Sequence, residues 1–196
     1  EKAFQESLKN HQQYSITDLY FQKLKELEIN SPITSNKWLY NYIYAGIIAN
    51  QISNSKIIHC FRNPLDNILS ITRTNFSKGN SYSSSLVDCT KVYINQEKVM
   101  RIYKNRFSSS IYEIDYDLLV TNPETTIKSL IKWLGWEWNN NFLSPQKNRR
   151  IILTASDVQV RSPINSKSIG GWRNYRDMLK PAISELSKTD MFKDIF

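Results

Sequence analysis

Glycine is scarce in this chain, with five in 196 residues: Gly46, Gly79, Gly135, Gly170 and Gly171. None sits in a Gly-x-x-x-x-Gly-Lys-Ser/Thr run, so the sequence lacks the loop whose backbone N–H groups cradle the phosphates of a kinase's nucleotide. Cysteine is scarcer still. Cys60 and Cys89 are too few for a disulfide framework, and with His11 and His59 they show no metal-ligand spacing. Neither redox chemistry nor a zinc site is implied. No apolar run approaches the roughly 20 residues of a membrane span, and the start carries no signal-peptide pattern. A cytoplasmic location is therefore expected.

What is present is a chain able to bury a core, 40% hydrophobic, and one domain over residues 1–196 is expected. Its net charge is +8 and its pI about 9.4. That balance favours an acidic partner such as a nucleotide, a nucleic acid, an acidic glycan or a membrane surface, although a solvated basic surface accounts for the charge equally well. Along the chain, strand-like and helix-like segments alternate without repeats. Ser15 and Asp18 form a capping-box start to a helix reaching about Glu28. Trp38 to Gln51 reads as a largely buried helix and "KIIHCF" as a buried strand. Asn63 then caps a helix with Pro64 first, running to about Asn75, and Ser77 to Ser84 is a loop. From Ser85 a long helix carries Cys89, Val92, Gln96, Val99, Tyr103 and Phe107 at three- and four-residue steps. "SIYEIDY" is the next strand. Asn122 and Pro123 open a helix with Ile127, Leu130, Ile131 and Leu134 on one face and Gly135 as its stop, and a last helix begins near Pro181. Strands separated by long helices imply parallel pairing in an α/β layer fold. Ligands of such sheets sit beyond the carboxyl ends of the strands.

One segment lies at such an end. In "KIIHCFRNPLDNILS", Lys56 to Ser70, the strand ends on Arg62 and turns at once into a helix. A guanidinium beside the first-turn N–H groups makes an anion site. Positions 63, 66 or 67, and 70 stack along one helix face, so Arg62 and Ser70 could grip one phosphate. A surface salt bridge and an ordinary helix serine are the plainer readings of the two, and Asp66 reads as a capping residue.

These residues resemble a known family. The segment is similar to the 3′-phosphate site of sulfotransferases that use 3′-phosphoadenosine 5′-phosphosulfate (PAPS). "ITSNKWLYNYIYAGIIANQISNSKIIHC" and "YEIDYDLLVTNPETTIKSLIKWLGWEW" resemble segments of the tyrosylprotein branch and of the bacterial branch fused to tetratricopeptide repeats. "TASDVQVRSPINSKSIGGWRNYRDML" resembles the closing cofactor loop of the repeat-fused branch. The resemblance runs from Ile33 to Leu179 and implies a parallel sheet flanked by helices, related to P-loop nucleotide hydrolases. It implies that Arg62 and Ser70 bind the 3′-phosphate and Tyr116 the nucleoside. Lys37 would reach the transferring sulfuryl group, where charge builds as the S–O bond breaks, with Ser156 nearby. Lys167 would lie in the loop closing over the nucleotide, and Arg161 and Arg173 would brace that loop or face an acidic acceptor. PAPS would be the donor, adenosine 3′,5′-bisphosphate the leaving product, and a hydroxyl or amine of a glycan, peptide tyrosine or small molecule the acceptor. No metal is implied.

Two departures stand out. The family holds the 5′-phosphosulfate in a Gly-x-x-x-Ser-Gly-Thr-Thr-like loop, which this sequence lacks. The loop is expected upstream of Glu1, along with the glutamate that serves as general base, for which Glu1 and Glu6 are the candidates within the chain. On that expectation the domain is incomplete at its N-terminus and inactive alone. Gly171 also stands where the repeat-fused branch has Arg before Trp172. Two other classes stay open, a kinase-like phosphoryl transferase and a non-catalytic basic module for nucleotides or polyanions. The charges are scattered and no nucleic-acid motif is present.

Overall fold

The computed structural model of the protein describes residues 15–74, 76, 79–148 and 161–195. By internal packing the chain divides into two compact units, Glu1–Ile57 with Val99–Ile111, and Ile58–Lys98 with Tyr112–Phe196.

In the first unit, helix α1 (Ile16–Glu26) starts at the expected capping box. The Ser15 hydroxyl accepts from the Asp18 N–H at 3.1 Å, and the Ser15 N–H donates to Asp18 Oδ2 at 3.2 Å. Helix α2 (Asn41–Gln51) begins three residues later than Trp38 and buries Ala45 alone. The expectation of a largely buried helix fails because a segment apolar on every side reads as core whichever way it faces, and here Ile43 remains 47% exposed. The core of this unit gathers Ala45, Met100 and Ile111, with Tyr42, Ile57, Tyr103 and Phe107 against them. Gly46 is needed where Tyr103 comes close: a Cβ there would meet the ring at 2.3 Å.

Strands β1 (Ile57–Phe61) and β2 (Ile111–Asp115) are parallel neighbours. In β1 only His59 is buried, its Nε2 3.2 Å from Glu97 Oε2, while Ile58 and Cys60 are exposed. Ile58 and Cys60 share one face, and that face is open, which corrects the reading of "KIIHCF" as a buried strand. Helix α3 (Pro64–Thr72) follows, then a 3-10 turn at Ser81–Ser84 and helix α4 (Leu86–Arg106). The buried positions of α4 are Cys89, Thr90, Tyr93, Ile94 and Met100. Of the expected line, Cys89 is buried and Tyr103 and Phe107 pack on the first unit's core, whereas Tyr93, Ile94 and Met100 turn inward in place of Val92, Gln96 and Val99. Thr90 tolerates burial because its hydroxyl donates to the Leu86 carbonyl at 2.6 Å.

After β2, Tyr116 opens a short helix, α5 (Tyr116–Thr121), instead of ending the strand. The reason is Asp115, whose Oδ1 accepts from the N–H groups of Asp117 and Leu118 at 2.8 and 3.3 Å. Helix α6 (Pro123–Leu134) runs as expected to Gly135, which takes φ 76°. Helix α7 (Lys180–Leu186) closes the second unit, whose core joins Leu65, Ile68, Leu69, Cys89, Tyr93 and Ile94 with Trp172, Leu179, Ala182, Leu186 and Phe192. That core fixes the start of α3 against the segment around Trp172.

Candidate functional site

The β1–α3 turn is built by Asn63. Its side-chain oxygen accepts from the N–H groups of Leu65 and Asp66 at 3.0 and 3.3 Å, and Pro64 takes the first helical position, where no N–H is needed. Arg62 sits between the strand end and this cap. Its carbonyl accepts from the Tyr93 hydroxyl at 3.0 Å, a phenol whose pKa burial pushes up. Its guanidinium lies over the Tyr116 ring, Cζ 4.8 Å from the centroid, and donates from one terminal nitrogen to the Ser168 carbonyl at 2.9 Å. The same nitrogen is 3.8 Å from Asp66 Oδ2. The side chain is 15% exposed, and its Nε is buried with no hydrogen-bond partner. A buried donor without an acceptor costs about 1–3 kcal/mol, so a charged group is held here with donor capacity to spare. An incoming phosphate would supply the missing acceptor.

Asp66 has a different role from the cap expected of it. Asn63 already caps α3, and the buried Asp66 carboxylate instead accepts from the Gly170 N–H at 2.7 Å and the Trp172 N–H at 2.9 Å, 104 and 106 residues away. The i,i+4 spacing from Arg62 is the one local signal of an ion pair at Asp66, and local spacing carries none for so distant a partner. Trp172 is 3% exposed, with the guanidinium carbons of Arg173 and Arg176 5.3 and 5.8 Å from its ring.

The second unit therefore brings together Arg62, Tyr116 and the segment that follows Lys167. Lys167 is exposed beside Ser168, and its N–H donates to Asn165 Oδ1 at 3.3 Å. Ser70 is exposed on α3, two turns beyond the cap. Lys37 belongs to the first unit, exposed in the irregular segment before α2. Ser156 lies outside the described residues, as do Glu1 and Glu6. Among the described residues no three His, Cys, Asp or Glu side chains form a set that could hold a metal ion, and no helix is long and apolar enough to cross a membrane.

The strand-turn-helix arrangement with Arg62 at the strand end lies on a parallel α/β sheet. The chain belongs to the sulfotransferase family, whose model matches residues 2–140. A relative from Aquifex aeolicus (strain VF5), itself described only as an uncharacterized protein, is 30% identical over 177 residues. The match takes in 89% of this chain and 23% of the relative, so the chain spans about a quarter of that protein's length. Among solved structures, the sulfotransferase domain from the curacin biosynthetic pathway superposes with a TM-score of 0.64 at 15% identity, over 88% of this chain and 67% of that one. That likeness establishes the α/β sulfotransferase fold.

Proposed function

We propose that this chain is the nucleotide-binding part of a PAPS-dependent sulfotransferase, with the 3′-phosphate held at the β1–α3 turn. The observation that carries the reading is the Arg62 guanidinium, fixed between the Tyr116 ring, Ser168 and Asp66 with its Nε unspent. A 3′-phosphate would take that donor, the Ser70 hydroxyl would donate to a second oxygen, and the Tyr116 ring would face the nucleoside. Lys167 would approach from the closing loop. In the complete reaction an acceptor hydroxyl or amine attacks sulfur in line, its proton passes to a carboxylate base, and adenosine 3′,5′-bisphosphate leaves. Lys37 and Ser156 are proposed to meet the charge that develops on the bridging and sulfuryl oxygens, since such transfer relies mainly on positioning and electrostatic stabilisation. An acidic glycan or peptide would suit the basic surface as acceptor.

Calorimetric titration with adenosine 3′,5′-bisphosphate, adenosine 2′,5′-bisphosphate and adenosine 5′-phosphate tests the reading. The 3′,5′ isomer should bind at least about tenfold tighter than the other two, the worth of one charge-assisted hydrogen bond. Equal affinities that fall together with salt would instead mark a general basic module.

A further inference from the structure

We propose that Asp66 is a positioning residue for the nucleotide site, a latch whose carboxylate holds residues 168–172 over Arg62; the inference rests on the sulfotransferase reading and deepens it. Three backbone groups of this segment are taken up by two side chains of the β1–α3 turn. The Ser168 carbonyl accepts from Arg62, and the Gly170 and Trp172 N–H groups donate to Asp66 Oδ2 and Oδ1 respectively. The Asp66 side chain is 2% exposed, and a carboxylate that far from water is tolerated only when its oxygens are met by donors or a cation. Removing the segment would leave it with the guanidinium alone, at 3.8 Å. The burial of Asp66 and the place of the segment are therefore one and the same event.

The segment's own residues fit this role. Gly170 has φ 69°, and a Cβ there would lie 2.2 Å from an Arg173 terminal nitrogen, so glycine stands where the chain turns to offer its N–H to Asp66. Trp172 is buried just beyond the second contact, joining the core that Leu65 and Ile68 of α3 also enter. Lys167 directly precedes Ser168, so the latch sets where that lysine's backbone stands. Arg62 is bound to the same arrangement: the nitrogen that faces Asp66 is the one that holds Ser168.

The test uses Asp66→Asn in the full chain, followed by hydrogen exchange and by stopped-flow dissociation of adenosine 3′,5′-bisphosphate. An amide offers one acceptor oxygen and turns an N–H₂ toward the other donor, so one contact is lost and a repulsion replaces it. The Gly170 and Trp172 amides should exchange at least tenfold faster while those of α6 keep their rates, and the nucleotide should dissociate about tenfold faster with its association rate within twofold of the parent's. Gly170→Ala, which disturbs the latch from the loop side without touching α3, should give the same dissociation result. Unchanged protection at Gly170 and Trp172, or equal loss across α6, would overturn the latch. Faster exchange with an unchanged dissociation rate would overturn its role in positioning. If the parent chain binds no adenosine 3′,5′-bisphosphate, the nucleotide reading falls and the positioning role with it, while the exchange result alone still judges the latch.

Discussion

Replacing Arg62 is the sharpest test of the proposed 3′-phosphate site, because its side chain is held by several groups and keeps one donor in reserve. On the proposed reading, Arg62→Ala would remove the charge-assisted bonds to the 3′-phosphate, worth roughly 1.5–3 kcal/mol, or about 10- to 150-fold in Kd. Adenosine 5′-phosphate has no group at that place and should lose less than about twofold. The same change leaves Asp66 without its cation, yet the Gly170 and Trp172 N–H groups still meet the carboxylate, so the variant should fold, with a Tm lowered by a few degrees. Arg62→Lys separates charge from geometry. A lysine keeps the positive charge but cannot donate along several fixed directions while lying over Tyr116, so it should recover only part of the loss. Titration calorimetry of both ligands against the three proteins gives the answer. Equal losses for the two nucleotides, or full recovery by lysine, would refute the reasoning that a fork of donors reads the 3′-phosphate.

Gly46→Ala should cost about 1–3 kcal/mol of stability, since the new methyl meets the Tyr103 ring at 2.3 Å; a denaturant midpoint unchanged from the parent's would show that the ring moves freely. Burial pushes the Cys89 thiol from its ordinary 9 up to about 11, so below pH 9 it is protonated in both folded and unfolded chains. Above that mainly the unfolded chain ionises, and roughly 2 kcal/mol of stability should be lost as the pH climbs from 9 to 11, with Tyr93 acting in the same direction; urea titrations across this range that show no loss would contradict it. In a longer form carrying a Ser-Gly-Thr-Thr-type cradle, Lys37→Met should lower kcat by about 10²- to 10³-fold and barely change PAPS affinity, whereas residues 1–196 alone should transfer no label from PAPS.

Much of the fold was legible because helix ends are local chemistry. Ser15 with Asp18, Asn63 with Pro64, and Asn122 and Pro123 with Gly135 bracket α1, α3 and α6 where the structure has them. The start of α5 was missed although Asp115 is an ordinary N-cap, because Tyr116 continues the alternation of β2 and the strand pattern hid the cap. Burial was harder to read. Helix α4 carries apolar residues on two adjoining faces, and which one turns inward is decided by partners distant in sequence: Tyr93 reaches the Arg62 carbonyl and Glu97 meets His59. At the β1–α3 turn, the place of Arg62 between strand and cap was legible, but Asp66 could not be assigned its partners, since a carboxylate in a first helical turn looks the same whether it faces water or accepts from a loop 104 residues on.

Gly171 brings the sequence and the site together, and it gives the last prediction. The resemblance places an arginine at this position in the repeat-fused branch, and on the proposed reading its absence would take one cation from the neighbourhood of the nucleotide. The backbone does not demand glycine: Gly171 is not among the residues with positive φ, and a Cβ built there meets nothing closer than Asp66 Oδ1 at 3.8 Å, an ordinary contact. A side chain can therefore leave this backbone without strain at its Cβ, and an arginine there would start beside the buried carboxylate that accepts from Gly170 and Trp172 on either side. Two effects would add. The new cation would strengthen the hold of Asp66 on the loop, and it would offer donors toward the bound phosphates. Gly171→Arg should thus tighten adenosine 3′,5′-bisphosphate by roughly 1 kcal/mol, about fivefold, with a steeper dependence on salt than the parent's. Competition for Asp66 is the alternative. If the new guanidinium displaced Arg62 from the carboxylate, affinity would fall and the selectivity for the 3′-phosphate would fall with it, and titrations at two salt concentrations tell the two outcomes apart. Weaker binding with lost selectivity would show that the site accepts only one arginine and that the glycine is there to keep Arg62 in place.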